Sequence, residues 1–174
     1  VTFNPDGNTK SWSKSYSVTV NVTDNNSNVN TSKLKYQWTQ SKTKPDTITT
    51  AGRAFTNGGA IASPSGVTGN NWYLWVYVED NAGNSNTIGT TNPFYIDNTA
   101  PSLSLSLESL STTVASNTIG IIATASDSQS GVNGSSYTYY IKKGTGSYGN
   151  AVKDGSTHSC LLYTSDAADD LTRV

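Results

Sequence analysis

The chain has 174 residues, enough for one or two domains of ordinary size. Charged residues make up 13%, against roughly 25% in an average soluble domain, and 11 basic and 12 acidic side chains nearly cancel. This balance offers no basic face to nucleic acid, and no stretch of about 18 apolar residues could insert in a membrane. Ser, Thr and Asn together number 68, Met is absent, and Cys and His occur once each, which leaves little for metal or nucleophile chemistry. The chain begins at Val1, without Met, signal peptide or lipidation motif, and reads as an internal fragment.

From Trp12 to Val22 the even positions Trp12, Tyr16, Val18, Val20 and Val22 are apolar and the odd ones are Ser, Thr or Asn, with Lys14 the one exception. A period of two predicts a half-buried strand. Leu34, Tyr36 and Trp38 repeat it against Lys33, Lys35 and Gln37. The Gly-, Thr- and Ser-rich stretch 47–70 predicts short strands around Ala54–Phe55 and Ala60–Ala62. Trp72, Leu74, Val76 and Val78 mark one face of a longer strand, followed by the turn Asp80-Asn81-Ala82-Gly83-Asn84, where Gly83 can take a positive φ. Phe94 and Ile96 flank Tyr95 in the next strand. No segment has a 3.6 period. About seven short strands per 100 residues predict a two-sheet β-sandwich, with Trp12, Val18, Val20, Leu34, Tyr36, Trp38, Leu74, Val76, Phe94 and Ile96 inward.

A shift of 103 residues aligns two segments without a gap. Val18, Val20, Val22 and Asp24 fall on Ile121, Ala123, Ala125 and Asp127, and Leu34, Tyr36 and Trp38 fall on Tyr137, Tyr139 and Ile141. The sheet-sized unit therefore occurs twice, joined by the polar, proline-ended Asp97-Asn98-Thr99-Ala100-Pro101. Counterparts of the strands at 72–80 and 91–97 would fall beyond the chain, so the second copy is expected to be truncated. Residues 1–98 form the first predicted domain and 99–159 the N-terminal part of a second. Residues 160–174, CLLYTSDAADDLTRV, differ in composition and resemble a translated sequencing adapter over ten consecutive codons, which removes Cys160 from any native chemistry.

The stretches Tyr36-Gln37-Trp38, Trp72 to Asn84, Asp97-Asn98-Thr99-Ala100-Pro101 and Ala125-Ser126-Asp127-Ser128-Gln129-Ser130-Gly131-Val132 resemble tandem bacterial Ig-like repeats of the immunoglobulin or fibronectin-III-like kind. The resemblance covers 1–159, with Trp72 where the family more often has Tyr. It implies an all-β fold of tandem Ig-like β-sandwich domains in an extracellular protein, secreted or cell-wall associated. The implied role is that of a structural spacer whose partners are neighbouring repeats. An adhesin or carbohydrate-binding module, or an accessory domain of an extracellular polysaccharide-degrading enzyme, is also compatible with it.

Two groups of residues are candidates for function. If Trp72, Leu74, Val76 and Val78 point inward, Tyr73, Trp75 and Tyr77 point outward, and Tyr95, Lys35 and Gln37 share their face. Flat rings beside hydrogen-bonding side chains suit a glycan or a surface protein, while cross-strand aromatic pairing that merely stiffens the sheet gives the same pattern. At the joint, Asp97, Asn98 and Asp127 offer oxygens to Ca²⁺, which takes about six to eight, or serve as turn caps. No other cofactor is expected. His158 has no Ser or Asp partner by spacing, and the fragment reads as non-enzymatic.

Overall fold

The computed structural model describes residues 1–107, 118–133, 138–139, 152–153 and 160–165. Among them the protein is all-β apart from a four-residue helix and a single 3-10 turn. It divides into two compact units, Val1–Thr99 and Ala100–Val174.

The first unit has nine strands: β1 (Thr2–Asn4), β2 (Asn8–Ser13), β3 (Ser17–Asn21), β4 (Lys35–Thr39), β5 (Arg53–Ala54), β6 (Ala60–Ala62), β7 (Gly69–Glu79), β8 (Ser85–Gly89) and β9 (Phe94–Ile96). The small sheet has the antiparallel order β1-β3-β6. The large sheet runs β2-β9-β7-β4-β5, with β8 also on β7. Eleven-residue β7 is its spine. One edge pairs with β4, from Lys35↔Tyr77 to Thr39↔Tyr73. The other is shared, β8 pairing with Trp75–Glu79 and β9 meeting β7 at Gly69 and Trp72. The interruption between them contains Pro93, which has no N–H to give a ladder, while the Thr90 N–H still reaches the Leu74 carbonyl at 2.9 Å.

The continuous strand expected over Trp12–Val22 is in fact two. The chain crosses from one sheet to the other at residues 14–16, β2 lying parallel to β9 and β3 lying between β1 and β6. Lys14 is the start of that crossing, which explains why it breaks the alternation. A crossing cancels parity, so even positions before and after it need not share a face. Trp12 accordingly is not a core residue. Its ring sits against Tyr95, centroids 5.1 Å apart and planes at 46°, and Tyr95 points away from the core between buried Phe94 and Ile96.

The other inward expectations agree with the structure. Val18, Val20 and Ile61 of the small sheet meet Leu74, Val76, Phe94 and Ile96 of the large one, with Val22 and Leu34 completing the buried cluster. Tyr36, Trp38, Trp72 and Val78 pack against it partly buried. Phe94 is fully buried between Tyr16 at 4.9 Å and Trp38 at 5.2 Å. Each aliphatic side chain so buried contributes about 1.5–3 kcal/mol. Short strands form at Arg53–Ala54 and Ala60–Ala62, the first displaced by one residue from Ala54–Phe55.

The second unit has β10 (Ser102–Leu107), β11 (Thr118–Ser126), β12 (Thr138–Tyr139), β13 (Val152–Lys153) and β14 (Cys160–Ser165). β10 and β14 flank β11, both antiparallel to it, and β12 pairs with β13. Leu103 and Leu105, on one face of β10, are each 67% exposed. The run Cys160–Ser165 thus pairs along β11, as an extended segment of any origin can, because ladder bonds are made by backbone. Tyr137, Ile141, His158 and residues 166–174 lie outside the described residues.

Candidate functional site

The outer face of the large sheet carries the six residues singled out for binding, and its ladders bring them side by side. Lys35 pairs with Tyr77 and Gln37 with Trp75, while Thr39 stands opposite Tyr73. On the other edge of β7, Thr87 pairs with Tyr77 and Gly89 with Trp75. Tyr95 extends the row on β9, where it is joined by Trp12, which the sequence pattern had assigned to the core. The signal for Trp12 was the misplaced Lys14.

This face has two halves. Over one lies α1 (Ile48–Ala51), packed against β4 and β7. Ile48 is only 2% exposed although it is no part of the sandwich core, so it is buried by the outside of the sheet. Gln37 and Thr47 exchange side-chain hydrogen bonds at 3.4 Å. Gly52 approaches Lys35 so closely that a Cβ there would stand 3.2 Å from the Cβ of Lys35. The Tyr77 hydroxyl donates to Glu79 Oε2 at 2.7 Å, and this bond to a carboxylate raises its pKa above the usual tyrosine value. Gln37 and Tyr77 are therefore engaged by their own chain, and the base of the Lys35 side chain is crowded by it.

The other half holds Tyr73, Trp75, Tyr95 and Trp12, all half-buried. The pose of Trp75 follows from Gly89. A Cβ on Gly89 would lie 2.8 Å from Cδ2, Cε2 and Cε3 of Trp75 alike. Equal distances to three adjacent ring atoms put that point over the face of the six-membered ring, not at its edge. The indole rests flat on the glycine, held by an Nε1–H bond to the Ser41 carbonyl at 3.3 Å, and turns its second face away from the sheet. Any residue larger than glycine at position 89 would lift it.

The acidic candidates are turn and linker caps. Asp97, 6% exposed, accepts from the Thr99 N–H at 2.9 Å. The Asn98 amide nitrogen donates to the carbonyls of Val67 at 2.7 Å and Lys14 at 3.0 Å, tying the end of the first unit to the crossing between its sheets. Asp127 accepts from the N–H groups of Gln129 at 2.9 Å and Gly131 at 3.1 Å. Among the described residues no group of three His, Cys, Asp or Glu could hold a metal ion. Asp80 closes the β7–β8 turn, accepting from the N–H groups of Ala82 at 2.9 Å and Asn84 at 2.8 Å, with Gly83 at φ +91°. Hydrogen bonds from the side chains of Asn84 and Ser27 stabilise the ionised form and lower its pKa to about 2.

Comparison with known proteins returns no matching family, no matching curated protein and no matching solved structure.

Proposed function

We propose that this chain is a spacer module: tandem Ig-like β-sandwich repeats, the second incomplete, from an extracellular bacterial protein that is secreted or attached to the cell wall. The observation that carries this reading is the recurrence of one local design at the 103-residue shift. Each unit opens with a strand laid antiparallel on a later one, β1 on β3 and β10 on β11, with the register one residue apart under that shift. Each long strand is followed by an aspartate that accepts the N–H two residues on, Asp24 from Asn26 at 3.3 Å and Asp127 from Gln129 at 2.9 Å. Division of the first strand between two sheets, β1 in one and β2 in the other, also suits an Ig-like sandwich. The parent reading frame tests the proposal. Further copies of about one hundred residues each and a surface-anchoring segment are expected, since domains of this size stack as independent beads; a parent protein holding neither would overturn it.

A second reading, a glycan-binding or adhesive module, is favoured by one observation, the flat Trp75 ring with the Trp12–Tyr95 pair beside it. A glycan array probed with the whole chain and with Trp75→Ala tests it. Binding that disappears in a still-folded Trp75→Ala protein supports this reading, and an empty array overturns it for glycans.

A further inference from the structure

A recess opens on the side of the first unit where both sheets have free edges, β5 in the large sheet and β6 in the small one. It measures about 490 Å³, within the roughly 300–1,000 Å³ usual for small-molecule sites. Register explains its lining. Tyr36 pairs with Arg53 across β4 and β5, so both lie on the inner side of the large sheet at its margin. Trp38 follows two residues later on the same side. The opposite wall is Ser63-Pro64-Ser65, immediately after β6.

The chemistry of this recess is specific. Arg53 is the only arginine in residues 1–159, and no Asp or Glu lines the cavity, so its positive charge is uncompensated there. Of two further recesses, one is lined by Asp24, Glu79 and Asp80 and the other balances Lys44 against Asp46. Trp38 is fixed by its Nε1–H bond to the Ala62 carbonyl at 3.0 Å. Ser63, 9% exposed, accepts from the Tyr16 N–H at 3.0 Å and keeps its own hydroxyl hydrogen to donate. A planar guanidinium recognises carboxylate through two parallel hydrogen bonds. Aromatic rings take the apolar face of a flat ligand, and serine hydroxyls pair with its hydroxyl groups. One small molecule with all three features is a sugar acid.

We propose that the recess at Arg53 binds a uronic acid, its carboxylate on Arg53, its ring against Tyr36 and Trp38, and its hydroxyls on Ser63 and Ser65. A spacer needs no such site, and its rings, Tyr36 and Trp38, are not those of the outer face, from which Gln37 alone reaches the cavity, so it stands or falls independently of either reading above. The test is titration of the intact 174-residue chain with glucuronate, glucose and acetate, followed by the NMR signals of the Trp38 indole N–H and the Arg53 Nε–H. Saturable, millimolar binding of glucuronate is expected, with glucose and acetate each weaker by about tenfold or more, because glucose lacks the carboxylate and acetate lacks both the ring and its hydroxyls. Arg53→Gln should weaken glucuronate by about tenfold or more, and Arg53→Lys should do so partially, since it keeps charge but loses the fork. Both variants should fold, because Arg53 is exposed on a two-residue edge strand. Trp75→Ala should leave glucuronate binding unchanged. Equal binding of acetate and glucuronate, no saturable shift, or full affinity in Arg53→Gln would each overturn the proposal.

Discussion

The contact between Trp75 and Gly89 can be measured by changing either partner. In Gly89→Ala the new methyl carbon would meet the indole face at 2.8 Å, where ordinary contact begins near 3.4 Å. The ring must retreat by about half an ångström or tilt away, giving up its seat and its bond to Ser41. Forcing a methyl into an occupied position costs about 1–3 kcal/mol. Against this, alanine restricts the unfolded chain and returns about 0.4–1 kcal/mol, since Gly89 does not have a left-handed φ. Gly89→Ala alone should therefore destabilise the first unit by about 0.5–2 kcal/mol. In a Trp75→Ala background the obstruction is absent, and the same substitution should stabilise by about 0.4–1 kcal/mol. The sign reverses. Urea unfolding followed by tryptophan fluorescence is the assay, because Trp12, Trp38, Trp72 and Trp75 all lie in the first unit and the signal reports on it alone. If Gly89→Ala shifts stability equally in both backgrounds, to within about 0.5 kcal/mol, the flat-ring geometry is wrong.

Trp38→Ala should cost about 3–5 kcal/mol as a core truncation beside Phe94, whereas Trp12→Ala on the outer face should cost less than about 1.5 kcal/mol; equal losses in the same urea experiment would return Trp12 to the core. Asp80, whose pKa falls from 3.8 to about 2 on folding, stabilises the turn fully above pH 3.8, and that contribution is lost as pH falls through about 2. Asp80→Asn should abolish the acid limb in that window, and an unchanged acid titration would remove the cap from the account. An isolated piece spanning 101–159 should show no cooperative thermal transition, because Leu103 and Leu105 stand 67% exposed; a sharp melt detected by circular dichroism would contradict this.

Much of the sandwich was legible because its strands are half-buried and antiparallel, so that a period of two maps directly onto inside and outside. Leu34–Trp38, Trp72–Val78 and Phe94–Ile96 follow that rule without interruption. Trp12 did not, since periodicity records parity along a strand and is blind to a change of sheet at residues 14–16. The covering of Tyr77, Gln37 and Lys35 was equally hidden. It depends on Ile48, a single apolar residue among Thr, Lys and Pro, which has no pattern to betray burial. Gly89 and Arg53 carried no local signal either. Their importance comes from cross-strand partners, Trp75 and Tyr36, more than a dozen residues away in sequence, and register cannot be read from one strand alone.

The ladder between β11 and β14 has a consequence for any array built from such units. Backbone bonds ask only for a six-residue extended segment without proline, so the edge of β11 that pairs with β14 does not discriminate between its own strand and a neighbour's. Adjacent copies tethered by a few residues are present to each other at very high local concentration, and identical copies could exchange strands as easily as complete themselves. What discriminates is the sequence itself: at the 103-residue shift Val18 and Val20 fall on Ile121 and Ala123. In an array of that kind, divergence between neighbouring units would act as proofreading, keeping each strand loyal to its own sheet.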